Sequence, residues 1–396
     1  MQKIMFYCQH ILGMGHLIRS VEIVKGLIPD FQICFINGGK VIDEFQFPTE
    51  IEVINIPAVQ TDREFKELSP VDDRLTMAEV EAQRRNLLLE TCDRFEPDIL
   101  IIELYPFGRR RFSFELIPLV EKAKSMGTKI VSSVRDIVVT KQNQERHEQK
   151  VCKLINQYFD LLLIHGDPNF VKLDLSFSRI NDLNCPVQYT GYIVQPLPKK
   201  TTITLDKPAI LVTVGGGRFG HDLLECVANT APILKGQIPH QIHLFTGPFC
   251  PEPVLQKLQD MTKKQDNIIC DRYTTSLLDY MQQADLSIGM GGYNTTMNIL
   301  STGVKAMMMA FQGNNDKEQE TRLRKLDSLG RVKMIQPEDL QPDKFAGQII
   351  DYLEQTPSNL PLDLNGVANT RQCFQQLINK QGFIDAAKPL LSANFA

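Results

Sequence analysis

The sequence predicts an α/β protein made of two Rossmann-like, doubly wound parallel-sheet domains facing a cleft. Three observations carry this. Short, unbroken apolar runs alternate with longer helical stretches along the chain, the pattern of parallel strands buried on both faces. The 396 residues suffice for two full cores. A glycine-rich turn also joins a strand to a helix near the start of each half: Gly13-Met14-Gly15-His16, and Gly215-Gly216-Gly217-Arg218-Phe219-Gly220. Glycine lets the backbone turn sharply and approach a ligand, and the helix that follows offers N–H groups to a negative charge.

In the first half the strands are Ile4–Cys8, Ile33–Ile36, Val53–Ile56, Ile99–Glu103, Ile130–Val134 and Leu161–Ile164. In the second they are Ala209–Val214, Ile242–Thr246, Ile268–Cys270, Leu286–Met290, Ala306–Ala310 and Val332–Ile335. The pattern breaks at Pro196, Pro198, Lys199, Lys200 and the threonines after them, which reads as a linker. The expected division is therefore an N-terminal domain over 1–191, a linker over 192–208 and a C-terminal domain over 209–364. An amphipathic helix and tail complete it over 365–396.

Composition narrows the function. With 43% hydrophobic and 23% charged residues the chain is ordinary globular protein. A net charge of -4 argues against a general nucleic-acid binder. No apolar run is long enough to span a membrane, and the start shows no secretion signal, so a cytoplasmic location is expected. The nine cysteines include no CxxC or Cys/His zinc spacing, and reduced, buried thiols are the simple reading.

In open parallel sheets ligands bind beyond the carboxyl ends of the strands. There the first domain offers His16, Glu103 and Asp136 as candidate bases, with Gly13, Gly15, Arg109 and Arg135 on the same side. Each has a structural alternative: the histidine as a packing or capping group, the acids as helix caps. Arg109 belongs to Phe107-Gly108-Arg109-Arg110-Arg111-Phe112, a basic cluster suited to an anionic acceptor or a membrane surface, or else a solvated loop. In the second domain Gly215, Gly216 and Gly217, with Arg218, face the same edge as Gly291-Gly292-Tyr293-Asn294-Thr295-Thr296. Glycines and small polar residues opening a helix suit a diphosphate, or simply cap the helix. The first turn lacks the third glycine of a dinucleotide fingerprint, the second strand ends in Asn37 rather than an acid, and no GxxxxGK[ST] occurs.

These motifs resemble the GT-B glycosyltransferases, in particular the group that contains the N-acetylglucosaminyltransferase completing peptidoglycan lipid II. Gly13–His16 is similar to that family's acceptor-side turn and Val214–Gly220 to its second glycine loop. The strongest likeness is Gly291–Gly303, then Phe311-Gln312 and Asp316-Lys317-Glu318-Gln319. The resemblance implies that Thr295 and Thr296 lie near the donor phosphates, and Glu318 and Gln319 near the donor sugar. At the position of the family's ribose-binding glutamate this chain has Asn298, an amide that hydrogen-bonds a diol without charge. Glu103–Arg109 and Val134–Ile137 look instead like features of a poorly characterised bacterial subgroup.

The function implied is a hexosyl transfer, inverting and metal-independent, from a nucleotide-diphosphate sugar of UDP-GlcNAc type to an unknown hydroxyl acceptor. No bound cofactor is expected, because the nucleotide sugar is a substrate. No paired-acid metal motif stands at a strand end, Asp72-Asp73 lying in a polar stretch. The acceptor is lipid-linked, with peripheral membrane contact, or a small glycoside; nucleic acid is not a partner. The base is His16, Glu103 or Asp136, and closure about 192–208 is expected to exclude water. Two rivals share the layout: a nucleotide-sugar epimerase and a non-catalytic nucleotide-sugar-binding protein.

Overall fold

The computed structural model describes residues 1–379 except 12, 43–44, 62–66, 202, 207 and 314–316. The described residues divide into two compact units, one within 1–194 and 362–379, the other within 195–361.

The first unit opens with β1 (Gln2–Cys8), α1 (Gly15–Leu27), β2 (Phe31–Asn37), β3 (Glu52–Asn55), and the short pair β4 (Val59–Thr61) and β5 (Leu68–Pro70). It continues through α2 (Met77–Phe95), β6 (Ile99–Glu103), α3 (Ser113–Ser125), β7 (Lys129–Arg135), α4 (Gln144–Tyr158), β8 (Leu161–His165) and β9 (Val187–Tyr189). Seven strands form one parallel sheet in the order β3-β2-β1-β6-β7-β8-β9. Residues Ile4 to Cys8 and Ile99 to Glu103 are all buried, as strands covered on both faces must be. The strand order reverses direction between β1 and β6. That reversal is the switch point at which such sheets open a crevice for ligands.

The second unit holds β10 (Ala209–Thr213), α5 (His221–Lys235), β11 (Gln241–Phe245), α6 (Glu252–Thr262), β12 (Ile268–Asp271) and α7 (Leu277–Gln283). There follow β13 (Leu286–Met290), α8 (Tyr293–Thr302), β14 (Ala306–Met309), α9 (Glu318–Ser328), β15 (Lys333–Ile335) and α10 (Pro342–Glu354). Its six-stranded parallel sheet runs β12-β11-β10-β13-β14-β15, with the switch point between β10 and β13.

The last described helix, α11 (Gly366–Ile378), returns to the first unit. Phe374 is wholly buried there, edge-on to Phe31 at 6.5 Å, and Arg371 Nη2 pairs with Asp30 Oδ1 at 2.6 Å. Gly26 permits this docking, because a Cβ on it would stand 2.0 Å from Val367 Cγ1. Residues 380–396 of the expected tail lie outside the described residues. None of the described helices is long and apolar enough to cross a membrane.

Candidate functional site

At the switch point of the first sheet, the turn after β1 delivers His16 to the start of α1, and β6 ends in Glu103. His16 Nδ1 lies 2.7 Å from Glu103 Oε1. Arg19, on the same face of α1 three residues on, donates through Nη2 to the same carboxylate oxygen. Glu103 is fully buried and Arg19 is 2% exposed, whereas 23% of the His16 side chain reaches solvent. A carboxylate accepting at Nδ1 assigns the proton to that nitrogen and leaves the Nε2 lone pair available; no described residue occupies Nε2. Burial pushes the Glu103 carboxyl up, but His16, Arg19 and Arg109 outweigh it and hold the group well below the usual carboxylate range. Burial lowers the His16 imidazole to about 3, Glu103 opposing and Arg109 and Arg135 assisting, so it is neutral at pH 7. The arrangement is a neutral histidine oriented by an ionised acid, able to take a proton at Nε2.

Asp136 is not joined to this pair. It is fully buried, Oδ2 accepting from the Tyr192 hydroxyl and Oδ1 from the Ile137 N–H, each at 3.0 Å. Arg135 ends β7 and Arg109 opens a single 3₁₀ turn beyond β6. Nothing crowds Gly13, and Met14 before α1 supplies no capping side chain. His165, another strand-end histidine, is a satisfied core group, its two nitrogens 2.8 Å from Ser133 Oγ and Thr190 Oγ1.

The sequence reading missed Arg19, whose spacing from His16 was the available signal. It marked Asn37 as a strand end without showing that it belongs to a polar chain across the carboxyl ends of β1, β2 and β3. In that chain His10 Nε2 stands 2.9 Å from Asn37 Oδ1, and Asn37 Nδ2 donates to Asn55 Oδ1 at 2.8 Å.

In the second unit the glycine turn after β10 and the start of α8 meet at the switch point. Gly217 has φ +86° and a Cβ there would stand 2.3 Å from the Thr246 carbonyl oxygen, so no other residue fits. A Cβ on Gly215 would lie 3.9 Å from Thr295 Oγ1, which places the two turns side by side. Gly216 follows in the same turn, and Arg218 is exposed with its guanidinium 5.2 Å from the centre of the Phe249 ring. Gly291 and Gly292 lead into α8, which has no acid in its first turn. Thr296 turns its hydroxyl back to the Gly292 carbonyl at 3.0 Å, while Asn294 and Thr295 are half-buried. Asn298, buried within α8, donates from Nδ2 to Gln195 Oε1 at 3.4 Å. Glu318 is buried and paired with Arg322 at 3.0 Å, and Gln319 Oε1 accepts the Phe311 N–H at 3.0 Å. Asp316 lies outside the described residues. Among the described residues no group of three or more His, Cys, Asp or Glu is placed to hold a metal ion.

Residues 209–375 match the Glycosyltransferase family 28 C-terminal domain. A UDP-N-acetylglucosamine--N-acetylmuramyl-(pentapeptide) pyrophosphoryl-undecaprenol N-acetylglucosamine transferase of Prochlorococcus marinus (strain NATL2A) is 22% identical over 218 residues, covering 55% of this chain and 57% of the relative. The chain thus aligns with little more than half of that relative's length. Among solved structures, MurG of Acinetobacter baumannii matches with TM-score 0.58 and 13% identity over 96% of this chain and 100% of the other. UGT2 of Phytolacca americana, solved with UDP-2fluoro-glucose and pterostilbene, matches with TM-score 0.60 and 14% identity over 96% and 94%.

Proposed function

With the GT-B fold and the family 28 match over residues 209–375 as premise, we propose that this chain is a glycosyltransferase moving a sugar from a nucleotide-diphosphate sugar, UDP-GlcNAc above all, to a hydroxyl acceptor. The observation that carries the reading is the His16–Glu103 contact of 2.7 Å at the first switch point. It supplies a base of fixed tautomer where the fold opens a crevice.

The acceptor O–H proton passes to His16 Nε2 as the acceptor oxygen bonds to the anomeric carbon. The bond from that carbon to the diphosphate oxygen breaks, its electron pair leaving with the diphosphate, and the anomeric centre inverts. Glu103 remains ionised and stabilises the imidazolium. In the second unit the turns at Gly215–Gly217 and Gly291–Thr296 hold the diphosphate through backbone N–H groups. Arg218 neutralises charge on the leaving group, in place of a divalent metal. The relatives' names support UDP-GlcNAc as donor and a lipid-linked acceptor, which would bring the protein to a membrane surface; a small glycoside is the alternative acceptor. The epimerase alternative has no counterpart among the proteins named above.

The test is a thermal-shift panel of nucleotide-diphosphate sugars and free nucleotides on the full chain in EDTA. A ligand at ~100 times its dissociation constant adds about 2.7 kcal/mol. A UDP-GlcNAc shift that survives EDTA, with transfer abolished in His16→Ala, is the expected result. Silence across the panel refutes the donor assignment, and binding without turnover refutes the enzyme.

A further inference from the structure

The basic triplet after β6 is split by the fold. Arg110 and Arg111 are exposed, and Arg110 Nη1 lies 2.9 Å from His147 Nδ1. Arg109 is half-buried instead, its Nε is buried with no hydrogen-bond partner, and no described residue forms an ion pair with it. A buried, unsatisfied guanidinium nitrogen requires an explanation.

The backbone is bent to put it there. Arg109 has φ +57° and Leu104 has φ +64°, left-handed conformations that a residue with a Cβ rarely adopts. The loop between them is closed by Gly108 N–H to the Leu104 carbonyl at 2.7 Å. It is pinned by Phe107, which is 2% exposed and meets the Phe177 ring at 4.9 Å. Arg109 thereby sits beyond the same strand end as Glu103. Its charge acts on His10, His16 and Glu103, lowering each. Glu103 is already shared by His16 and Arg19. The Arg109 charge is therefore left beside a neutral imidazole without a carboxylate of its own among the described residues.

Resting on the reading of His16 as the base, we propose that Arg109 binds an oxyanion of the acceptor, phosphoryl or carboxylate, next to the hydroxyl that His16 deprotonates. Arg109 is then a specificity-determining residue, and an acceptor without an anionic group near its reacting hydroxyl is a poor substrate.

The probes are inorganic phosphate and, separately, acetate, titrated into the full chain at constant ionic strength. The readout is the ¹⁵N-labelled His16 imidazole, assigned with His16→Asn. The variants are Arg109→Asn, whose side chain tolerates a left-handed backbone, and Arg109→Lys, which restores a charge. The expected result is a saturable His16 shift with at least one anion. Affinity should be about tenfold to a hundredfold weaker in R109N and partly recovered in R109K, with melting temperatures unchanged. No saturable shift in the wild type overturns the proposal. So does equal affinity in R109N; if R109N also melts lower, Arg109 is merely a counter-ion for Glu103. Failure here with donor-dependent transfer intact removes this inference alone. A silent donor panel beside Arg109-dependent anion binding removes the functional reading instead.

Discussion

Replacing Glu103 with glutamine keeps the shape of the side chain and removes its charge. In the wild type that carboxylate is fully buried and accepts from both His16 and Arg19, itself 2% exposed. An exposed ion pair contributes at most about 1 kcal/mol, but removing one partner of a buried pair costs about 3–5 kcal/mol, because the other charge stays buried without it. The buried figure applies. A unit of this size loses about 2–4 °C of Tm per kcal/mol, so the first transition should fall by roughly 6–20 °C. Glutamine also presents an amide that can offer His16 either a donor or an acceptor, so the tautomer is no longer fixed. Turnover should drop by about 10²- to 10⁴-fold. The assay pairs calorimetry with hydrogen exchange on α1 and β6 peptides, and then measures donor-dependent transfer. Exchange localises the loss to the first sheet even if the two units melt together. A variant within about 0.5 kcal/mol of wild type, with unchanged turnover, would refute the account of Glu103 as a buried charge organising the base.

Phe374→Ala should cost the first unit about 3–5 kcal/mol, because the ring is wholly buried; calorimetry should show the second unit's transition unmoved. Gly217→Ala must place a Cβ 2.3 Å from a carbonyl oxygen at φ +86°, so the second unit should lose at least about 1–2 kcal/mol and UDP-GlcNAc affinity with it, measured by calorimetric titration. Acid should weaken the first unit through His165, whose folded pKa burial lowers from 6.5 to about 3. Because the unfolded chain takes up that proton first, the stabilisation is complete above about pH 6.5 and declines as pH falls toward 3. His165 should account for about 2 kcal/mol of the loss that urea denaturation shows between pH 6.5 and pH 5, so the dependence is shallower in His165→Gln, and His16, also lowered to about 3, adds its own share.

Much of the fold was legible because a strand buried on both faces is an uninterrupted apolar run. Every such run, from Ile4–Cys8 to Val332–Ile335, lies on a strand of one of the two sheets. The strands β4, β5 and β9 gave no such signal, being three residues long with a polar residue at the centre of each. The strand-end rule located His16 and Glu103 but ranked them as rival bases; that they touch depends on which face of α1 meets β6. Amphipathicity showed that α11 buries a face, but not that the seat is Gly26 and Phe31, over three hundred residues earlier. Nor does charge patterning separate Arg109 from Arg110, since the difference is a left-handed backbone at one residue.

The return of α11 to the first unit has a consequence for biosynthesis. Everything from Gln195 to Pro361 must leave the ribosome before Phe374 can reach its seat beside Phe31. At ordinary elongation rates that interval is roughly ten to thirty seconds. Throughout it the nascent first sheet carries an apolar patch along α1 that a chaperone can bind. The second unit is contiguous and can close during the wait. Ribosome-stalled chains should therefore show the later-made unit reaching protease resistance before the earlier one.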